Sequence, residues 1–350
     1  MQDDVRLLSE EDLALIHALQ LQPRASWSVL GRALDVDPVT VARRWNRLAT
    51  RGEAWISLSP GPRMFDQICL AFIEIDCALG SAAAVAGALN RHPHMLTIER
   101  TASGHDILAT VATRDLAAMS RYTLDHLPAI TGVTAVRARI VTHMFTEAGR
   151  WRIDALAPGQ RAQLTAATKP APTGRDVRQV MPADRAVLAH LARDGRASHQ
   201  ALATALKTSA STVKRRIDQL TGLGLLSFRC DFARPLGGWP VAATFWARAA
   251  PADLPDLGHA LIRLPETRNR AAISGPNNLM LQANLHSVTD VLRFETHLAA
   301  AHPDLDIVER VITMRHEKLL GRLLDHHGRT IGTIPPTSGR SHAETSDLSG

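Results

Sequence analysis

The chain has 350 residues, 45% of them apolar, 4% aromatic and 21% charged, with a formal net charge of +6. At roughly 150 residues per domain, that length predicts more than one domain, and no apolar run approaches the ~18 residues of a membrane span. The acidic start through Leu13 lacks the basic and apolar regions of a secretory leader.

Cysteine is scarce, with Cys69 and Cys77 in one predicted strand and Cys230 far away. An extended strand would hold the first two roughly 26 Å apart, against the ~7 Å that a bridge allows. These features predict reduced cysteines in a cytoplasmic protein. Lysine occurs only at Lys169, Lys207, Lys214 and Lys318, so arginine supplies 36 of the 40 basic residues. That suits a polyanion partner and equally a genome-composition bias.

Residues 9–58 predict a helix-turn-helix domain of three short helices. Ser9 precedes Glu10-Glu11-Asp12, an N-cap with acids in the first turn. Pro23 ends the first helix, Ser26 caps the second, and Asp37-Pro38 opens the third. In that third helix Val41, Trp45 and Leu48 recur at i, i+4, i+7 and face inward. Pro38, Thr40, Arg43, Arg44 and Arg47 are left on the outer face or at the helix start, where hydroxyls and guanidiniums reach phosphates and base edges. A plain three-helix bundle with a solvated basic face is the competing reading.

After Pro60-Gly61-Pro62 the period changes. Strands over 68–77, 95–101, 107–112 and 133–145, with helices over 81–91 and 115–127, give βαββαβ, the ferredoxin-like order, within 66–147. Residues 148–181 read as a linker, with a short helix over 158–167 and its most open part at Lys169 to Gly174.

Then the chain repeats itself. Arg24-Ala25-Ser26 returns as Arg196-Ala197-Ser198, and the same offset of 172 pairs Asp12 with Asp184, Thr40-Val41 with Thr212-Val213, Arg43-Arg44 with Arg215-Arg216 and Gly52 with Gly224. A second helix-turn-helix therefore covers 182–230, with Ser209, Ser211, Thr212, Lys214, Arg215 and Arg216 outward. A second βαββαβ covers 239–318, and a polar tail over 333–350 reads as disordered. Six arginines balance six acids across 9–55, whereas seven bases face three acids across 182–228. The second unit is thus expected to carry more of any salt-dependent DNA affinity.

The fold class is α+β: two winged, three-helix helix-turn-helix domains alternating with two ferredoxin-like domains. This order, with Asp12, Arg24-Ala25-Ser26, Leu30, Thr40-Val41, Arg43-Arg44, Leu48 and Gly52 and their second copies, resembles the Lrp/AsnC family of transcription regulators. Ser103-Gly104-His105-Asp106 resembles the family's central turn, repeated as Ser274, Gly275, Asn277 and Asn278. The resemblance implies a sequence-specific regulator that binds double-stranded DNA, pairs its βαββαβ domains within one chain as a pseudo-dimer, forms homo-oligomers, and takes an amino-acid-like effector at those turns. It departs from the family at Asp35 and Lys207, where the turn before the recognition helix usually carries glycine.

No enzyme, cofactor or metal site is read from the residues themselves. His92-Pro93-His94 and His326-His327 offer two metal ligands each, half a tetrahedral set. The alternative is an enzyme resembling the siroheme decarboxylases, which share this architecture and use histidines and arginines. Candidates here are His92, His94, Arg100, His105 and His143, without the aromatic-rich sheet motif of those enzymes.

Overall fold

A computed structural model describes residues 6–102, 104–146, 151–166, 180–261 and 264–336. The chain opens with α1 (Glu10–Leu21), α2 (Trp27–Leu34) and α3 (Pro38–Thr50). Ser9 and Asp12 cap α1 reciprocally, each side chain accepting from the other's backbone N–H. This satisfies two of the donors a helix start leaves open. Asp37 caps α3 by accepting from Val39 and Thr40 N–H. Strand β1 (Ala54–Pro60) follows as a wing.

The first βαββαβ unit comprises β2 (Cys69–Cys77), α4 (Ala82–Asn90), β3 (Met95–Thr101), β4 (Ile107–Thr113), α5 (Leu116–Arg121) and β5 (Val133–Thr146). The expected helix over 115–127 is α-helical only to Arg121. Its last turn widens to a π turn over Tyr122–His126. A connecting helix, α6 (Pro158–Thr165), leads to the second copy. That copy has α7 (Pro182–Arg193), α8 (His199–Ala205), α9 (Ala210–Gly222) and the wing β6 (Leu226–Phe232). Its βαββαβ unit is β7 (Val241–Arg248), α10 (Leu254–Ala260), β8 (Thr267–Ile273), β9 (Leu279–Leu285), α11 (Thr289–Ala301) and β10 (Asp306–Leu319).

Each βαββαβ sheet would leave two edge strands unpaired, a row of open donors and acceptors. The two sheets close that gap on each other. β5 pairs with β2 through Ile140 and then with β8 from Val141. β10 pairs with β7 through Thr313 and with β3 from there on. Eight strands thus form a closed ring, β10-β3-β4-β2-β5-β8-β9-β7, related by an approximate two-fold in which the last strand of each half borrows the second strand of the other. Phe72 and Leu108 from the first half pack inside with Trp246, Met280 and Val311 from the second. The two halves pair within one chain.

The helix-turn-helix units are joined as firmly. β1 and β6 form an antiparallel ribbon from Ala54↔Phe232 to Pro60↔Leu226. Arg24 Nη2 donates to Ala197 O at 3.0 Å and its Nη1 to Gly195 O, while Arg196 donates to Pro23 O at 2.7 Å and Ala25 O at 2.8 Å. Arg24 lies over Phe228, and Arg196 lies 3.9 Å from the Trp27 ring centre. The repeated Arg-Ala-Ser is therefore a reciprocal clamp across the two-fold.

Two sequence expectations are corrected. The connection is not free over its whole length. Trp151, Ile153, Leu156 and Leu164 are buried in the core of the first helix-turn-helix, and Ile153 N donates to Gln20 Oε1 at 3.0 Å. Apolar residues in a Pro- and Ala-rich stretch found a partner surface that local composition does not reveal. The tail also begins later than 333. β11 (Arg322–Leu324) and β12 (Thr330–Thr333) fold back on the wing, with Thr330 N donating to Gly52 O at 2.8 Å, and the described chain runs to Pro336. Residues 147–150, 167–179 and 337–350, which include Lys169 to Gly174 and most of the expected tail, lie outside the described residues. No described helix is long and apolar enough to cross a membrane. The three cysteines are free, and burial raises all three thiol pKa values, Cys77 to about 11.

Candidate functional sites: helix faces, central turns and a polar cleft

In α3, Val41, Trp45 and Leu48 are buried as the periodicity requires, leaving Arg43 exposed and Pro38 and Thr40 half-buried at the helix start. Arg44 and Arg47 have a second duty. Both lean on the buried carboxylate of Asp12, with Arg44 Nε 3.9 Å away and Arg47 in direct contact. Asp12 thereby fastens α1 to α3. In α9 the outward set is freer. Ser209 caps the helix by accepting from Thr212 N–H at 3.1 Å and also meets Ser211 and Thr212 hydroxyls at 2.9 Å. Arg215 is exposed, Arg216 half-buried, and Lys214 pairs with Asp218 on the surface. The turns before both helices hold Asp35 and Lys207 in left-handed backbone, φ 54° and 51°.

The central turns lie at the seam between the halves. Ala102 N donates to Ile312 O and, at the same offset, Ser274 N donates to Ile140 O. Ser274 Oγ also accepts from Ile140 N at 2.9 Å. Asp106 accepts from Cys77 N at 2.7 Å, and its counterpart Asn278 accepts from Ala249 N at 3.0 Å. The charge of Asp106 is thus spent on a backbone clasp that an amide performs equally well, so the swap to asparagine costs the second turn no structure. Gly104 and Gly275 take positive φ, 73° and 109°, and Glu309 occupies the space a side chain at Gly104 would need. His105 is buried, its Nε2 has no partner among the described residues, and burial lowers its pKa. Asn277 is buried in the equivalent position. Ser103 lies outside the described residues.

A third feature has no motif in the sequence. Two adjoining depressions of 350 and 330 Å³ share Trp151, Arg152, Asp154 and Pro265. They run between the connecting segment and the second βαββαβ unit. One is walled by Trp239, His286, Arg293 and His297, the other by His17, Arg161 and Arg270. Trp239 packs 5.5 Å from Trp151 and 5.0 Å from His286, ring centre to centre. Asn284 Nδ2 and Glu266 Oε2 are buried there without partners among the described residues. At the offset of 172, Asn284, His286 and His297 of the cleft stand where the first half has Ala112, Arg114 and Asp125. A separate apolar cavity of 100 Å³ is lined by Leu58, Met64, Ile68 and Leu188. Of the histidines the sequence suggested for an enzyme, His92 is hydrogen-bonded to the Tyr122 hydroxyl at 2.8 Å, and His143 meets Phe145 edge to face. Neither lines the cleft. Among the described residues no three His, Cys, Asp or Glu side chains converge as a metal site.

Comparison with known proteins fits this geometry. The model of the AsnC-type helix-turn-helix domain matches twice, over 8–49 and 183–221. That of the Lrp/AsnC ligand binding domain matches 70–151. The chain carries two AsnC-type helix-turn-helix domains and an Lrp/AsnC ligand binding domain in its first half, in a duplicated architecture. Two uncharacterised HTH-type transcriptional regulators, from Pyrococcus abyssi and Pyrococcus horikoshii, are 29% and 28% identical over 138 residues, 39% of this chain and 86% of each of theirs. The siroheme decarboxylase NirDL is similar in fold over 92% of this chain and 94% of its own, with TM-score 0.57 and 9% identity. A complex of NirDL with an iron-uroporphyrin III analogue gives TM-score 0.58 at 11% identity. The Lrp/AsnC ligand-domain model matches only the first half. The second βαββαβ unit keeps the strand order of the first.

Proposed function

We propose that the chain is a sequence-specific DNA-binding regulator in which two helix-turn-helix units act as one intramolecular pair, modulated by an amino-acid-like small molecule held by the barrel. The observation that carries it is the outward threonine and arginine pair that flanks a buried valine (Thr40, Arg43, Arg44 and Thr212, Arg215, Arg216), present twice at one offset on capped helices. Two such units fastened across an approximate two-fold suit two half-sites on one face of a duplex. The regulators named above, matched at 28–29% identity, support the reading. Its test is genome-wide DNA capture with the purified chain at ~150 mM salt, where merely electrostatic binding is weak. A discrete motif with two half-sites is the expected result, and uniform or absent enrichment would overturn it.

A second reading, siroheme-decarboxylase-like action on a tetrapyrrole, has the wider structural support, since the likeness to NirDL spans nearly the whole chain. It is favoured specifically by the cleft. Trp151 and Trp239 offer flat apolar surface, and Arg152 and Arg293 offer partners for carboxylates. At 9–11% identity the likeness speaks for the fold. Titrating the chain with siroheme and following its visible spectrum and CO₂ release separates the two. A spectral shift with CO₂ release makes the chain an enzyme, and an unchanged spectrum leaves the regulator.

A further inference from the structure

Beneath the wing ribbon lies a smaller cavity of 50 Å³ that neither reading uses. Residues from both wings and from the barrel line it: Ser59 of β1, Arg229 of β6, Thr97 of β3, Arg268 and Asn269 of β8, and Gln282 of β9. Arg268 sits at the opposite end of β8 from the central turn. It is 5% exposed, and it makes no hydrogen bond or ion pair with any described residue. Arg229 gives one Nη to Asp231 and leaves its Nε buried and unpartnered. Polar neighbours that could have satisfied Arg268 are engaged elsewhere. Gln282 donates to Glu99 and Thr244 and accepts from Asn269. Glu99 also meets His316 at 2.7 Å.

The charge count is equally telling. The charges that act most on Arg268 are Arg229, Arg234, Glu99 and Asp231, so with Arg268 itself three guanidiniums stand against two carboxylates. His316 adds no positive charge, because burial and then the neighbouring Arg234 push its pKa down to about 4. One positive charge is left over in a buried space. A buried unpaired charge is unfavourable unless something compensates it.

We propose that this cavity binds a small monocarboxylate anion through the forked donors of Arg268 and Arg229. The volume holds about four water-sized positions, enough for an ion the size of acetate or pyruvate. Phe72, Leu96 and Met144 supply the apolar wall its methyl group needs. A single negative charge balances the cluster, whereas a dianion would overshoot. Two planar guanidiniums suit a planar carboxylate better than a spherical halide. Because the lining comes from both wings and the barrel, the bound ion would fasten the helix-turn-helix pair to the sheet. The inference stands on Arg268 and requires neither reading of the function.

The test is a thermal melt and calorimetric titration of the full chain with sodium acetate and sodium pyruvate, against acetamide, chloride and phosphate at matched ionic strength. At a concentration roughly 100 times Kd, the carboxylates are expected to raise Tm by about 4–8 °C, with heat evolved or absorbed at one site per chain. Acetamide, chloride and phosphate are expected to do neither. Arg268→Met should fold and lose the response. Should it fail to fold, Arg268→Lys, which keeps the charge and loses the fork, should bind at least tenfold more weakly. No carboxylate-specific shift or heat in the parent chain, or an undiminished response in the folded variant, overturns the proposal.

Discussion

The clamp between the two helix-turn-helix units makes a quantitative prediction. Replacing Arg196 by alanine removes two charge-assisted hydrogen bonds, to Pro23 O at 2.7 Å and Ala25 O at 2.8 Å, and a guanidinium 3.9 Å from the Trp27 ring. Hydrogen bonds to charged groups contribute ~1.5–3 kcal/mol each and a partly desolvated cation–π contact ~0.5–2. Against these stands the burial cost that pushes the Arg196 pKa down to about 10, and water can reach the freed carbonyls of this half-buried seam. The net loss should be about 2–4 kcal/mol, seen as a lower denaturant midpoint with little change in slope. Arg24→Ala acts on the mirror-related contacts and should cost a similar amount. The double variant should lose less than the two losses added, because one broken side already loosens the other. A loss below about 0.5 kcal/mol for either single variant, or strict additivity, would refute the reading of these contacts as a clamp. On DNA with two half-sites, Arg196→Ala should also bring affinity toward that for one half-site, since the second contact would no longer be prepaid.

Three single positions and the paired arginines of the two recognition helices give further predictions. Gly61→Ala should destabilise by about 2–3 kcal/mol in a denaturant melt, because a methyl there would overlap the Gly224 carbonyl on the facing backbone. Lys207→Gly should stabilise by about 1 kcal/mol, since lysine is held at φ 51° where glycine carries no Cβ penalty; an unchanged or lower melting point would contradict it. His17 accepts from Ala155 N at 3.1 Å in its neutral form, and burial, then Arg152, lowers its pKa to about 4. Protonation therefore favours the unfolded chain, and stability present above pH ~6.5 should fall by about 3 kcal/mol by pH 4, a slope that His17→Asn, which keeps an acceptor, should flatten. On DNA, Arg215→Ala with Arg216→Ala should reduce the salt slope by about 2, and Arg43→Ala with Arg44→Ala by less, because Arg44 already serves Asp12.

Much of this architecture is legible from periodicity. Val41, Trp45 and Leu48 mark the inner face of α3, and the buried strand β2 reads as a continuous apolar run. The long last strands β5 and β10 were legible too, but their purpose was not. Half of each strand pairs with the other copy, and which strand borrows which is a matter of tertiary register that no local pattern encodes. Arg24 and Arg196 look like any exposed arginine before a serine cap. Only the contact across the two-fold shows them bound to carbonyls 171–173 residues away. The cleft was illegible for a similar reason. Its walls come from α1, the connecting segment, the residues just before β7, and β8, β9 and α11, each without a motif of its own.

The differences between the halves bear most on function. The duplicated backbone allows comparison position by position at one offset. Asp106 and Asn278 perform one clasp with different charge. Glu74, bound to Arg137 and Arg139, faces the two-fold where its counterpart is Trp246, itself stacked on Arg139 at 4.5 Å. In the cleft, Asn284, His286 and His297 stand where the first half has Ala112, Arg114 and Asp125. A symmetric dimer of identical chains must build every site twice, and any polar group that serves a ligand at one copy has to be tolerated at the other. Fusing the copies removes that constraint. One half can then carry histidines and an unpartnered amide at positions where the other has different chemistry, at no cost to its twin. A single-site stoichiometry for whatever the cleft binds follows directly, and two equivalent sites per chain would contradict the division of labour that these substitutions describe.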